Sequence, residues 1–126
     1  GLMNRSELDV NILRDRNPLF VQLSSGDIRN GYTVKIMNKT QEEKQYSIEV
    51  EGINNYELRV DDVDEFTDNG APVVTVARDR LRSLKLYIAI PRTELSSDSV
   101  DVIFKVRELG SNEQDIQTTS FKGPKS

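Results

Sequence analysis

Along most of the chain, apolar and polar residues alternate one by one. Leu8, Val10 and Ile12 are separated by Asp9 and Asn11; Tyr32, Val34 and Ile36 by Thr33 and Lys35; Tyr46, Ile48 and Val50 by Ser47 and Glu49. The same beat carries Tyr56, Leu58 and Val60, then Leu84, Leu86, Ile88 and Ile90, then Val100, Val102, Phe104 and Val106. A period of two belongs to a strand, because successive side chains point to opposite faces, one into a core and one toward water. Residues 20–23, 73–77 and 115–121 carry weaker versions of the pattern. The apolar members of the strong runs predict an inward set of Val10, Val34, Ile36, Ile48, Leu58, Leu86, Ile88, Val102 and Phe104.

Turn residues fall between these runs. Ser24-Ser25-Gly26-Asp27 forms one cluster and the polar stretch from Asn38 to Lys44 another. Gly52 to Asn55 separates two strands, with Asn54 and Asn55 able to take a positive φ. Asp68-Asn69-Gly70 before Pro72, and Gly110-Ser111-Asn112, mark further loops, and Pro91 ends a strand because it cannot donate to a ladder. Asn30-Gly31 reads either as a type I′ hairpin turn or as a bulge at the start of the Tyr32 strand. No segment holds a helical period; residues 78–84 come nearest, with Asp79 as the cap of a short turn. About eight short strands at these intervals predict an all-β fold, an antiparallel immunoglobulin-like β-sandwich. A cysteine pair, a core Trp and a Tyr just before the Val100 strand are missing, so the antibody-type core is not expected.

The length of 126 residues suits one domain. Gly1 ahead of Met3 reads as a tag remnant, so residues 1–7 are expected to be a remnant or linker, 8–121 the sandwich and 122–126 a frayed tail, on a piece of a longer protein. The longest apolar run, residues 86–90, is far short of the ~20 residues a helix needs to cross a bilayer. Neither Cys nor His occurs. Their absence removes thiolate nucleophiles, iron–sulfur ligands, the usual base near neutral pH and the commonest transition-metal ligand. With no Trp either, stacking on sugars loses its best residue. A net charge of −4 disfavours nucleic acid and anionic membranes as partners.

Few clusters carry candidate chemistry. The acidic stretch from Asp61 to Asp68 suggests calcium but fails the EF-hand spacing, since Phe66 and Thr67 stand where Asp or Asn and Gly are needed. Met3 and Met37 are too few and too separate for copper(I). Asn38-Lys39-Thr40 is a glycosylation sequon by pattern alone. No catalytic, cofactor-binding or metal-binding residue is therefore expected. The densest polar cluster is Arg14, Asp15, Arg16 and Asn17 before Pro18, echoed by Arg29 and Asn30. Two readings stand side by side. These groups tie together a corner where the chain crosses between sheets, or they form a docking surface of planar, multidentate donors. Tyr32 is expected in the core with its hydroxyl at the surface.

Leu-Asp-Val-Asn-Ile-Leu-Arg-Asp-Arg-Asn-Pro-Leu-Phe-Val-Gln-Leu over residues 8–23, with Gly26-Asp27-Ile28-Arg29-Asn30-Gly31-Tyr32 and Lys35-Ile36-Met37-Asn38-Lys39, resembles the C-terminal domain of the FixG/CcoG/RdxA family. The resemblance runs more loosely to Phe121. It implies a parent in the bacterial inner membrane, with several transmembrane helices and a ferredoxin-like part holding 4Fe-4S clusters. Such parents assist assembly of the cbb-type cytochrome c oxidase, acting as copper(II) reductases. The chain itself would be a non-catalytic, Ig-like interaction or structural module on the periplasmic side, facing oxidase subunits or the parent's own membrane part. With no cysteine and no membrane segment, it takes over none of the family's redox residues. An independent periplasmic protein-binding or adhesion-type sandwich is the alternative.

Overall fold

The computed structural model describes residues 7–124. Residues 1–6 of the expected remnant, Met3 among them, and the last two of the expected tail lie outside that span. Ten strands follow in order: β1 (Leu8–Arg14), β2 (Val21–Gln22), β3 (Ile28–Asn38), β4 (Lys44–Glu51), β5 (Glu57–Val60), β6 (Glu65–Phe66), β7 (Pro72–Val76), β8 (Arg80–Ile90), β9 (Ser99–Glu108) and β10 (Gln114–Lys122). A short 3-10 turn at Arg92–Glu94 lies between β8 and β9. The strands build two antiparallel sheets. The first runs β1-β3-β8-β5, with β2 also on β3; the second runs β10-β9-β4-β7-β6.

Register follows the alternation, because a slip by one residue would turn every apolar side chain to water. Val10 lies opposite Ile36, Val34 opposite Leu84, and Tyr32 opposite Leu86 in the first sheet. Val50 faces Phe104 and Ile48 faces Val106 in the second. The inner faces of both sheets close on one core. Every residue expected inward is buried there except Leu58, which packs half-buried against it. At its centre the Phe104 ring meets the Tyr32 ring edge-on, with centroids 5.1 Å apart.

Several expectations need correction. Asn30-Gly31 is neither hairpin nor bulge; it runs straight through β3, opposite Ile88 and Tyr87. Residues 78–84 form no helical turn. Asp79 instead takes a positive φ of 51° at the join of β7 and β8, and the alternation of β8 begins at once. The Tyr32 hydroxyl is not at the surface but donates to the Ser120 carbonyl at 2.8 Å. Residues 14–18 do not cross between sheets, since β1 before them and β2 after them pair with the same edge of β3. The tail is ordered further than expected. Lys122 completes β10, and the buried Gly123 donates its N–H to the Asp98 carbonyl at 3.0 Å. The positive φ expected near Asn54-Asn55 falls on Asn55, at 57°.

Phe104→Ala should destabilise the fold by ~3–5 kcal/mol, because the void sits where the two sheets meet and cannot collapse freely. Urea unfolding followed by circular dichroism measures it. The tyrosines set an alkaline limit. Burial first, and then the Glu108 and Glu113 carboxylates, push the Tyr46 hydroxyl up to about 12. Burial likewise raises Tyr32, against a smaller opposing pull from Arg14. The folded state keeps these protons where the unfolded chain has lost them. Their stabilisation is therefore intact below the ordinary tyrosine value of 10.0 and falls as pH climbs from there toward 12. Denaturation midpoints should drop steadily over that window, with tyrosinate absorbance rising as the chain unfolds.

Candidate functional site

The docking candidates divide according to which face of the first sheet each occupies. Along β3 the even-numbered residues point into the core and the odd-numbered ones outward. Asn30 therefore faces inward and is fully buried. Its side-chain nitrogen donates to the Lys122 carbonyl at 2.8 Å, and its side-chain oxygen accepts from the Lys122 N–H at 2.8 Å. The side-chain amide thus pairs with β10 as a strand backbone would. Asn30 is accordingly not part of an exposed surface, which corrects its place among the docking candidates. Arg14 lies half-buried at the end of β1, where its guanidinium reaches the Asp15 carbonyl at 3.4 Å. Arg16 and Asn17 are exposed, and among the described residues neither makes a hydrogen bond or ion pair.

Asp15 and Arg29 face outward and meet residues that sequence reasoning did not single out. The Asp15 carboxylate binds the Lys85 ammonium through both oxygens, and its N–H donates to the Gly31 carbonyl at 2.8 Å. Gly31 leaves the space that makes this possible. A Cβ at that position would stand 2.5 Å from Asp15 Oδ2 and 3.4 Å from the Tyr87 ring. Around the half-buried Tyr87 ring gather the Arg29 guanidinium at 5.0 Å, the Arg59 guanidinium at 4.7 Å and the Lys85 ammonium at 5.9 Å. All three fall within cation–π range. Leu23, Leu58, Ala89 and Glu57 join Arg29, Arg59 and Tyr87 around a depression of about 440 Å³. The outward members of β3, β5 and β8 carried the signal, but only the register of Gly31 and Arg59 beside Tyr87 brings them together.

The acidic stretch and the sequon have other surroundings. Asp61 and Asp62 line an open depression together with Arg82 and Lys85, and cations beside the carboxylates oppose calcium. Among the described residues no group of three or more acidic, His or Cys side chains converges. Asn38 of the sequon is buried, with its side-chain nitrogen donating to the Glu42 and Val76 carbonyls at 2.8 and 3.1 Å. The donor set does not fit an iron–sulfur cluster, which takes thiolate ligands, since the chain has no Cys. Asn30→Ala should lower stability by ~1–3 kcal/mol, because it leaves both polar groups of the part-buried Lys122 backbone without their partner. Arg16→Ala should change it by no more than ~0.5 kcal/mol, as an exposed substitution away from such features. Thermal melts of the two variants check both.

Comparison with known proteins agrees with the sequence resemblance. Residues 1–124 match the family model described as "IG-like fold at C-terminal of FixG, putative oxidoreductase". The chain is 32% identical over 125 residues to the nitrogen fixation protein FixG of Rhizobium meliloti, covering 98% of this chain and 24% of that protein. It is 31% identical to the protein RdxB of Cereibacter sphaeroides, covering 98% of this chain and 25% of RdxB. The chain thus spans about a quarter of the length of these relatives. The crystal structure of a FixG-related protein from Vibrio parahaemolyticus superimposes with a TM-score of 0.78 at 20% identity, over 94% of this chain and 97% of that one. That likeness supports the two-sheet architecture, and the match of the family model over nearly the whole length places the chain in the FixG family, as its C-terminal Ig-like domain.

Proposed function

We propose that this chain is a non-catalytic interaction module of a FixG-type membrane iron–sulfur protein, held on the periplasmic side of the bacterial inner membrane by the parent's transmembrane helices. The parent reduces copper(II) and so supplies copper(I) for assembly of the cbb-type cytochrome c oxidase. The observation that carries the reading is the pairing of a whole-length match to the FixG C-terminal domain with a composition that holds no Cys and no His. Electron transfer and copper handling would then rest with the remainder of the parent, and the sandwich would position or recruit. A rigid double sheet with a single core suits that task, because it presents fixed side-chain patterns without a large ordering cost on binding.

Removing the sandwich from the full-length parent tests this. Oxidase assembly in the membrane, read as bound haem and oxygen consumption, should fall at least several-fold. The truncated parent should stay in the membrane and keep its iron–sulfur absorption. Unchanged oxidase assembly with the truncated parent would overturn the reading, as would loss of the clusters together with the domain.

A further inference from the structure

The outer face of the first sheet carries the pattern of a recognition surface rather than of a merely solvated one. Its centre is the Tyr87 ring, lying over Gly31 because no side chain there lifts it away. Arg29 and Arg59 approach the ring at 5.0 and 4.7 Å from β3 and β5. Stacking against an aromatic face restrains a guanidinium, so less freedom is lost when it grips a carboxylate. Neighbouring carboxylates leave part of this cationic set uncommitted. Lys85 is taken by Asp15, and Arg59 has Asp61 only at a loose 3.8 Å. Among the described residues, Arg29 has no carboxylate partner at all. Leu23, Ala89 and Tyr87 give the same depression an apolar floor.

We infer that this depression docks an acidic protein segment, with a carboxylate on Arg29 and Arg59 and a neighbouring apolar side chain against Tyr87, Leu23 and Ala89. Charge selects this occupant. The chain as a whole carries −4, Glu57 lines the depression beside Arg29 and Arg59, and Asp15 and Asp61 flank it on Lys85 and Arg59. A broad anionic surface such as a lipid bilayer would meet those carboxylates and be repelled, whereas a narrow segment fits between them. The inference rests on the reading of the chain as an interaction module and names the chemistry of its partner.

The test is an NMR titration of the ¹⁵N-labelled chain with a capped Glu-Leu-Glu-Leu-Glu peptide, its Gln-Leu-Gln-Leu-Gln counterpart, and phosphatidylglycerol vesicles. Shifts should concentrate at Leu23, Arg29, Arg59, Tyr87 and Ala89, and weaken as salt is added. The glutamine peptide, and the Arg29→Gln/Arg59→Gln double variant with the acidic peptide, should bind at least about tenfold more weakly, since each lacks the charge-assisted bonds. Both arginines are on the outer face, so the double variant should keep its melting temperature. Equal binding of the two peptides, shifts centred elsewhere, no binding, or tighter binding to vesicles than to peptide would each overturn the proposal. The oxidase-assembly assay is independent of these outcomes. Failed titration beside a positive deletion phenotype removes only the docking site, and the reverse removes only the oxidase role.

Discussion

The two sheets of this domain are registered by polar side chains of one strand, β3. Its inward face carries Asn30, Tyr32 and Asn38 among aliphatic neighbours, and each is buried. A buried amide without partners is costly, whereas a fully bonded one specifies a single arrangement of everything around it. Asn30 binds both backbone groups of Lys122, and Tyr32 binds Ser120, so the end of β10 can lie in one position only. At the other end of β3, Asn38 donates to Glu42 and Val76 and accepts from the Thr40 N–H and hydroxyl, closing the loop that leads into the second sheet. Antibody-type sandwiches hold their sheets with a disulfide against a core Trp. Here that pair is replaced by hydrogen bonds, with the Tyr32–Phe104 ring contact between them.

How much of this was legible in the sequence depended on whether the signal was periodic or local. The inward residues of β3, β4, β8 and β9 were plain because period-two alternation is what a one-sided sheet requires. Local turn chemistry misled. Asn-Gly is a strong hairpin pair when its neighbours leave it free, but a central strand bonded on both edges overrides the preference. Inside that strand each residue has another use, Asn30 toward the core and Gly31 toward the outer face. Asp79 was read as a helix cap because short polar side chains favour caps and left-handed turns alike, and composition does not separate the two. The short β6 fell within an acidic stretch whose only apolar strand residue, Phe66, is exposed, so no alternation marked it.

The candidate surface was legible only in part. Arg29 and Asp15 stood out by their clustering, and both do lie on the outer face. Asn30 stood out equally, yet strand parity sends it to the opposite side from its neighbour. The role of Tyr87, Arg59 and Lys85 is set by non-local pairing. Arg59 lies opposite Tyr87 across the β5–β8 ladder, and Gly31 lies opposite it across the β3–β8 ladder. Residues so far apart in the chain show no shared motif, and only the fold makes them one patch.

The bonds from β3 to β10 also bear on self-association. An open strand edge exposes amides and carbonyls that can template another chain and so seed fibrils. On one flank of the sandwich, β10 spends its Ser120 and Lys122 backbone groups on β3, and its Asp115 carboxylate takes the Val10 N–H of β1 at 3.0 Å. On the other flank, β5 and β6 are four and two residues long, too short to recruit a partner strand, and Pro72 withholds a donor where β7 begins. Among the described residues, these bonds and the shortness of β5 and β6 thus narrow the stretches of edge along which two copies of the sandwich could zip together.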